Sequence, residues 1–328
     1  MLEITPSTAR QWSRIGSRGM YGQAILDLAE DHPDLVVLSA DLGNSSGLDR
    51  FKKTYPDQFI NVGIAEQNLI GVASGIAKEG YTVFASSFAP FITMRASEQV
   101  RMNLGYMGLG VKAVGIGSGL VMGFLGNSHF GLEDVAVMRA IAGMTIVCPA
   151  DCGEIVKTVR AAAKFDGPMY IRLTGGPNCP VVYTEEYEFT IGRSIEMRSG
   201  DQVAIITNGS MVAPSLGAAE ALSEKGVSVA VHNFHTVKPL DIETLESIFA
   251  KHKLVVTVEE HSVVGGLGGA VAEASSTFAD RPPLVLHGLP DYFGKTGEYQ
   301  FLLNRYGLTA EGIEAKVAAH LPPSLSSI

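Results

Sequence analysis

Cysteine, positive charge and long apolar runs are all in short supply in this sequence, and each shortage removes a class of protein. The three cysteines, Cys148, Cys152 and Cys179, are too few for a disulfide framework. In "CPADC" two of them have three residues between them and no His/Cys cluster beside them, which reads as buried free thiols rather than a metal site. Twenty-five Lys and Arg against 34 Asp and Glu leave a net charge of −9, without the basic face that a nucleic-acid binder needs. No run approaches the length of a membrane span, and "MLEITPSTARQWSR" lacks the apolar core of a secretory signal. A soluble, cytoplasmic protein that engages neither nucleic acid nor membrane is the expectation. There is no P-loop lysine, no G-x-S-x-G elbow and no H-E-x-x-H pair. The glycine-rich "VVGGLGGAVAE" (263–273) misses the G-x-G-x-x-G spacing and reads as a tight turn with close helix packing.

What is present is core material: 46% hydrophobic residues against 18% charged. Short β-branched runs at 35–41, 59–63, 82–88, 111–117, 145–150 and 169–173 alternate with longer stretches at helical spacing. Continuous apolar strands in that alternation predict a parallel sheet covered on both faces. Asp151, followed by Glu154, has the spacing of a capping box. From about 175 to 200 the text turns to Pro, Gly and acidic residues, then alternation restarts with strands in 202–210, 227–235, 253–261 and 283–289. The expected organisation is α/β in two domains, each a mostly parallel sheet with helices on both faces: residues 1–185, a link at 186–200, and a smaller domain at 201–328.

Parallel α/β sheets bind ligands at the carboxyl ends of their strands. Asp41, Glu66, Ser86 and Ser87 fall at or just past such ends, with Arg172 in the last strand. Glu66 in "FINVGIAEQNLIGVASGIA" could simply be an acidic first-turn residue favoured by the helix dipole. His129, in the loop "NSHFGLED", could equally be a surface histidine.

A resemblance gives these residues a context. "NVGIAEQNLIGVASGIAKEGYTVFASSFAPFITMRASEQVR", "NSHFGLEDVAVMRAIAGMTIVCPAD" and "GPMYIRLTGG" resemble the pyrimidine-binding domain of the transketolase family of thiamine-diphosphate enzymes. "VTVEEHSVVGGLGGAVAE" is similar to the family's C-terminal domain, and the two together cover nearly the whole chain. The resemblance implies that Glu66 hydrogen-bonds N1′ of the cofactor's aminopyrimidine and favours the imino tautomer, whose nitrogen takes the proton from thiazolium C2. It places Phe88 and Phe91 beside the cofactor, with Phe91 the better placed to stack on the ring. Met94 stands where many transketolases carry tyrosine, and Asp41 joins the cofactor-binding set. Arg18, Ser45, His129 and Arg172 resemble the family's sugar-phosphate grip, guanidiniums being suited to a phosphate dianion. His129 also counts as catalytic.

Two positions depart from the pattern. Gly117 stands where transketolases usually have a substrate-contacting histidine, and Leu125 where an aspartate meets a substrate hydroxyl. An unusual, deoxygenated or otherwise modified sugar is therefore expected. No GDG…N segment for the diphosphate and its Mg²⁺ occurs. The resemblance thus implies the C-terminal subunit of a split transketolase that moves a two-carbon ketol unit. Thiamine diphosphate and Mg²⁺ would be held with an N-terminal, diphosphate-binding partner subunit, as an α2β2 heterotetramer. The other readings are the β subunit of a 2-oxo-acid dehydrogenase decarboxylase and a non-catalytic partner subunit.

Overall fold

The computed structural model describes residues 2–323 and 325. The first half supplies β1 (Leu35–Ser39), β2 (Phe59–Asn61), β3 (Thr82–Phe88), β4 (Val111–Ser118), β5 (Thr145–Val147) and β6 (Met169–Thr174). The second supplies β7 (Ile195–Arg198), β8 (Val203–Thr207), β9 (Val229–Asn233), β10 (Thr236–Lys238), β11 (Leu254–Ser262) and β12 (Leu284–Leu289). They assemble into a seven-stranded sheet, β10-β5-β6-β4-β3-β1-β2, and a five-stranded sheet, β12-β11-β8-β9-β7. Every neighbouring pair is parallel except the edge pairs β10–β5 and β7–β9. This is the two-domain α/β architecture expected from the alternation of strands and helices.

Two strands were not legible in the sequence. β7 lies inside the segment read as a link, and β10 crosses from the second half to extend the first sheet, where Cys148 N–H donates to the His235 carbonyl at 2.7 Å. Neither "IEMR" nor "TVK" belongs to an apolar run long enough to show a period. Helical stretches also differ from expectation. Pro6–Ile15 and Ser17–Ala29 precede β1, separated by Gly16 at φ 82°. The stretch after β3 winds through wide π-type turns at Phe91–Arg95 and Val100–Tyr106, a geometry that often marks functional positions.

The core follows from two-sided burial. Helices Ser17–Ala29 and Cys152–Lys164 cover one face of the large sheet through Met20, Ile25, Val156 and Val159. Helix Glu66–Lys78 and the segment after β3 cover the other through Leu69, Ile70, Ile92 and Val100. That second cluster runs without a break into Leu245, Ile248, Leu267 and Val271, so the two domains share one core.

Polar groups reinforce the junction. Arg172 on β6 is buried with its Nε donating to Asp134 Oδ2 at 2.8 Å. Its Nη2 donates to the Gly131 carbonyl at 2.8 Å and to the Glu260 carbonyl, across the domain boundary, at 2.9 Å. Glu260 in turn accepts from Leu120 N–H at 2.7 Å and from the Tyr299 hydroxyl at 2.8 Å. Gly119, at φ 72°, lets the chain pass there, since a Cβ would come within 2.2 Å of Glu260 Oε1. The expected role of Arg172 in gripping a substrate phosphate is therefore corrected: its donors are engaged inside the protein, and it is 3% exposed.

A second node is Glu154. Asp151 caps helix Cys152–Lys164 by accepting from Glu154 N–H at 2.9 Å, as the spacing predicts. The Glu154 carboxylate reaches one residue further back than a capping box requires, to Ala150 N–H at 2.6 Å. It also accepts from Asn233 Nδ2 at 3.0 Å and from the Tyr183 hydroxyl at 3.1 Å, tying both domains to the segment between them. Burial pushes its pKa up from 4.5 to about 7.

Two predictions follow from these nodes. Arg172→Met leaves a buried carboxylate without its counter-charge and should cost about 3–5 kcal/mol of stability, much of it recovered in the Arg172→Met/Asp134→Leu double variant. Urea unfolding of the three chains measures this, and a wild-type midpoint for Arg172→Met would contradict it. Between pH 4.5 and 7 the folded chain keeps a proton on Glu154 that the unfolded chain has released. Stability contributed by this group therefore falls as pH rises through that window and is level above it. Unfolding free energies at pH 5 and pH 8 should differ by on the order of 2–3 kcal/mol less in Glu154→Gln than in wild type.

Candidate active site

Glu66 is the first residue of the helix that follows β2, and it is 2% exposed. Its neighbour Ala65 caps the helix with no side-chain hydrogen bond, so the carboxylate is turned inward rather than serving as a cap. Oε1 accepts from Ser87 Oγ at 3.3 Å and Oε2 from Arg95 Nη1 at 2.9 Å. Ser86, one residue earlier on β3, points to the opposite face and shares a 2.8 Å hydrogen bond with the Tyr21 hydroxyl.

The aromatic wall comes from the end of β3 and from the loop after β4. Phe88 and Phe91 meet edge to face at 5.9 Å between ring centroids. The His129 ring closes the triangle, 5.7 Å from Phe88 and 5.2 Å from Phe91. Arg95 completes the cluster: its guanidinium carbon lies 3.9 Å from the centre of the Phe91 ring while it pairs with Glu66. Sequence analysis missed Arg95. The available signal was its i+4 spacing from Phe91 on a helical stretch, which puts a cation over the ring. Met94, the adjacent residue, is 44% exposed.

Asp41, two residues past β1, sits in the left-handed region at φ 59° and exchanges two 2.9 Å hydrogen bonds with the Asn61 side chain at the end of β2. The polar mouth of the sheet is thereby fixed beside Gly63, whose N–H also donates to Asn61. Arg18 and Ser45 line a separate cleft of about 270 Å³ with Gly16, Asn44, Gly176 and Pro177. The four residues of the expected phosphate grip are thus distributed over three places: Arg18 with Ser45, His129 on the aromatic wall, and Arg172 in the core. Gly117 stands at φ 65°, where a Cβ would press within 3.1 Å of Met122, so a histidine is unsuited to this backbone. Phe124 and Leu125 are both exposed four to five residues before His129.

A buried acceptor beside a flat apolar wall fits an aminopyrimidine, which offers a ring nitrogen to a carboxylate and a face to an aromatic ring. Among the described residues no group of His, Cys, Asp or Glu is arranged to hold a cation.

Comparison with known proteins shows the family. Residues 13–176 match the transketolase pyrimidine binding domain and 192–313 the transketolase C-terminal domain. The chain is 40% identical over 305 residues to a putative transketolase C-terminal section of Methanocaldococcus jannaschii, covering 92% of this chain and 95% of that protein. It is 39% identical to a 6-deoxy-6-sulfo-D-fructose transketolase subunit of Clostridium sp. (strain MSTE9), covering 90% and 91%. A solved split-gene transketolase, described as an inactive β4 tetramer, superposes with a TM-score of 0.84 at 39% identity, covering 93% of this chain and 97% of that one. The chain belongs to the transketolase family, carrying its pyrimidine-binding and C-terminal domains.

Proposed function

We propose that this chain is the C-terminal subunit of a split, thiamine-diphosphate-dependent transketolase that transfers a two-carbon ketol unit and favours a modified sugar donor. The observation that carries the reading is Glu66, a carboxylate 2% exposed at the strand–helix junction and joined through Arg95 to the Phe91 ring of the aromatic cluster. When bound, thiamine diphosphate supplies the nucleophilic carbon that takes up the ketol unit. Glu66 holds the proton at the pyrimidine ring nitrogen, and Ser87 keeps its carboxylate turned into the pocket. Phe91 offers its face to the ring, with Arg95, 47% exposed, free to swing toward solvent. Phe88 and His129 exclude water from one side.

The diphosphate and Mg²⁺ belong to an N-terminal partner subunit in this reading. Support comes from the lack of a cation-holding cluster among the described residues and from relatives named as a section or a subunit. Ile64, Met94, Tyr106 and Phe124 stand exposed close in sequence to site residues, the kind of apolar surface that an α2β2 assembly covers. Three free cysteines suit a reducing cytoplasm, and no described helix is long and apolar enough to cross a membrane. A dehydrogenase β subunit finds no such support, since the relatives named here are transketolases.

Donor choice follows from Leu125 and Gly117. A hydroxyl that meets Leu125 loses its water without gaining a partner, at roughly 1–3 kcal/mol. The Arg18–Ser45 cleft still offers a cation and a hydroxyl to a terminal oxyanion. One relative is named for a 6-deoxy-6-sulfo sugar.

With the partner subunit present, Glu66→Gln should assemble normally and lose turnover by about 10²–10⁴-fold. Wild-type exchange of the cofactor C2 proton in that variant, followed by NMR, would reduce Glu66 to a helix-start acid. A deoxygenated or sulfonated ketose should exceed fructose 6-phosphate in kcat/KM, and Leu125→Asp should move the preference back toward the hydroxylated donor. Equal use of both donors, unaffected by the substitution, would make the enzyme an ordinary split transketolase.

A further inference from the structure

Outside the candidate site, the three cysteines fall into two environments. Cys148 is enclosed in the core, where burial pushes its thiol up to about 12, and its residue is 1% exposed. Cys152 and Cys179, 27 positions apart in sequence, meet with their sulfurs 2.9 Å apart. Closing that gap to a covalent bond needs a shift of about 1 Å.

The two thiols are not equivalent. Cys152 is the first residue of helix Cys152–Lys164, buried, with its Sγ also donating to the Trp12 carbonyl at 3.3 Å. Its thiol is raised by the hydrogen bond to Cys179, by burial and by the Asp151 carboxylate at the cap. Cys179 is half-buried and lines a cavity of about 510 Å³ between the domains, together with Asp151, Thr174, Ser210 and Tyr299. The hydrogen bond shared with Cys152 lowers its thiol. One sulfur is therefore poised to react and reachable through the cavity, while the other waits behind it.

We propose that Cys152 and Cys179 form a reversible intramolecular disulfide, with Cys179 the sulfur that attacks a peroxide and Cys152 the resolving thiol. The Cys179 thiolate attacks one peroxide oxygen, the O–O bond breaks, and Cys179 becomes a sulfenic acid as the other oxygen leaves and is protonated. The Cys152 sulfur then bonds to Cys179 Sγ, the S–O bond breaks, and the leaving hydroxide takes the Cys152 proton as water. Two thiols lose two electrons, and the peroxide is reduced to water and, from an alkyl peroxide, an alcohol.

The bond would act on the segment that carries Cys179. The Gly175 carbonyl accepts from Ser17 Oγ at 2.6 Å, and the Cys179 carbonyl accepts from Ser13 Oγ. Gly176 lies against Gly16, where a Cβ would fall 2.5 Å from the Gly176 oxygen. Gly176 and Pro177 form a wall of the cleft that holds Arg18 and Ser45. Drawing Cys179 toward the helix moves that wall.

Folded chain treated with equimolar hydrogen peroxide, quenched by alkylation and mapped by mass spectrometry tests this without any cofactor or partner. A linked Cys152–Cys179 peptide, two hydrogens lighter, should form within one chain and revert with dithiothreitol, while Cys148 is alkylated only after unfolding. In Cys152→Ser a dimedone adduct should accumulate on Cys179, at least ten-fold above wild type. In Cys179→Ser the oxidation of Cys152 should be slowed at least ten-fold. Linkage between chains, equal dimedone labelling of Cys179 in wild type and Cys152→Ser, or unslowed oxidation of Cys152 in Cys179→Ser would overturn the proposal. The wild-type map is decisive even if a variant fails to fold.

Discussion

The guanidinium of Arg172, enclosed with the Asp134 carboxylate, ties the centre of one sheet to the end of a strand in the other. Buried ion pairs gain little over a well-packed apolar core, yet leaving one partner alone is costly. Such a pair therefore acts on which arrangement forms more than on how stable it is. Here the arrangement is the docking of β11 against the loop after β4: the Glu260 carbonyl accepts from Arg172, and the Glu260 carboxylate holds Leu120 N–H. That loop continues to Leu125 and His129, so the histidine of the aromatic wall inherits its position from the domain junction.

The same logic explains how the Glu66 cluster is held together. A carboxylate as buried as Glu66 requires hydrogen-bond partners or a counter-charge. Arg95 and Ser87 supply them in this chain, and Phe91 supplies the surface on which the guanidinium rests. The wide turn after β3 brings Phe91 and Arg95 onto one side. A cation, a carboxylate and an aromatic face thus stabilise one another. Because Arg95 is half exposed, exchanging it for another group on the ring face costs less than uncovering Glu66.

Glu154 and the Cys152–Cys179 pair show a different use of one helix. Its N-terminal turn holds a capping aspartate, a carboxylate shifted toward neutrality and a thiol in contact with a second thiol. All three face the segment between the domains rather than solvent. This turn therefore couples the large sheet, the connecting segment and β9 through polar groups instead of apolar packing alone.

Periodicity and punctuation in the sequence determined the α/β class, ten of the twelve strands among the described residues and the helix start at Asp151, while the resemblance to transketolases marked Glu66, Phe88, Phe91 and His129 as candidates. Those features are local, written in runs long enough to show a period or in motifs of fixed spacing. The three-residue β10 strand, the edge strand β7 and the π-type turns were settled by tertiary packing, because short pieces take their conformation from the sheet or helix they join. Arg172 illustrates the boundary most clearly. In sequence it is an arginine at the end of a strand, equally suited to a phosphate or to an acid. Only the fold brings Asp134 and two carbonyls within 3 Å of its nitrogens, and burial then assigns it to the core. The meeting of Cys152 with Cys179, and of Arg95 with Glu66, was decided in the same way: each joins residues separated by more than 25 positions, and no periodic pattern encodes such a contact.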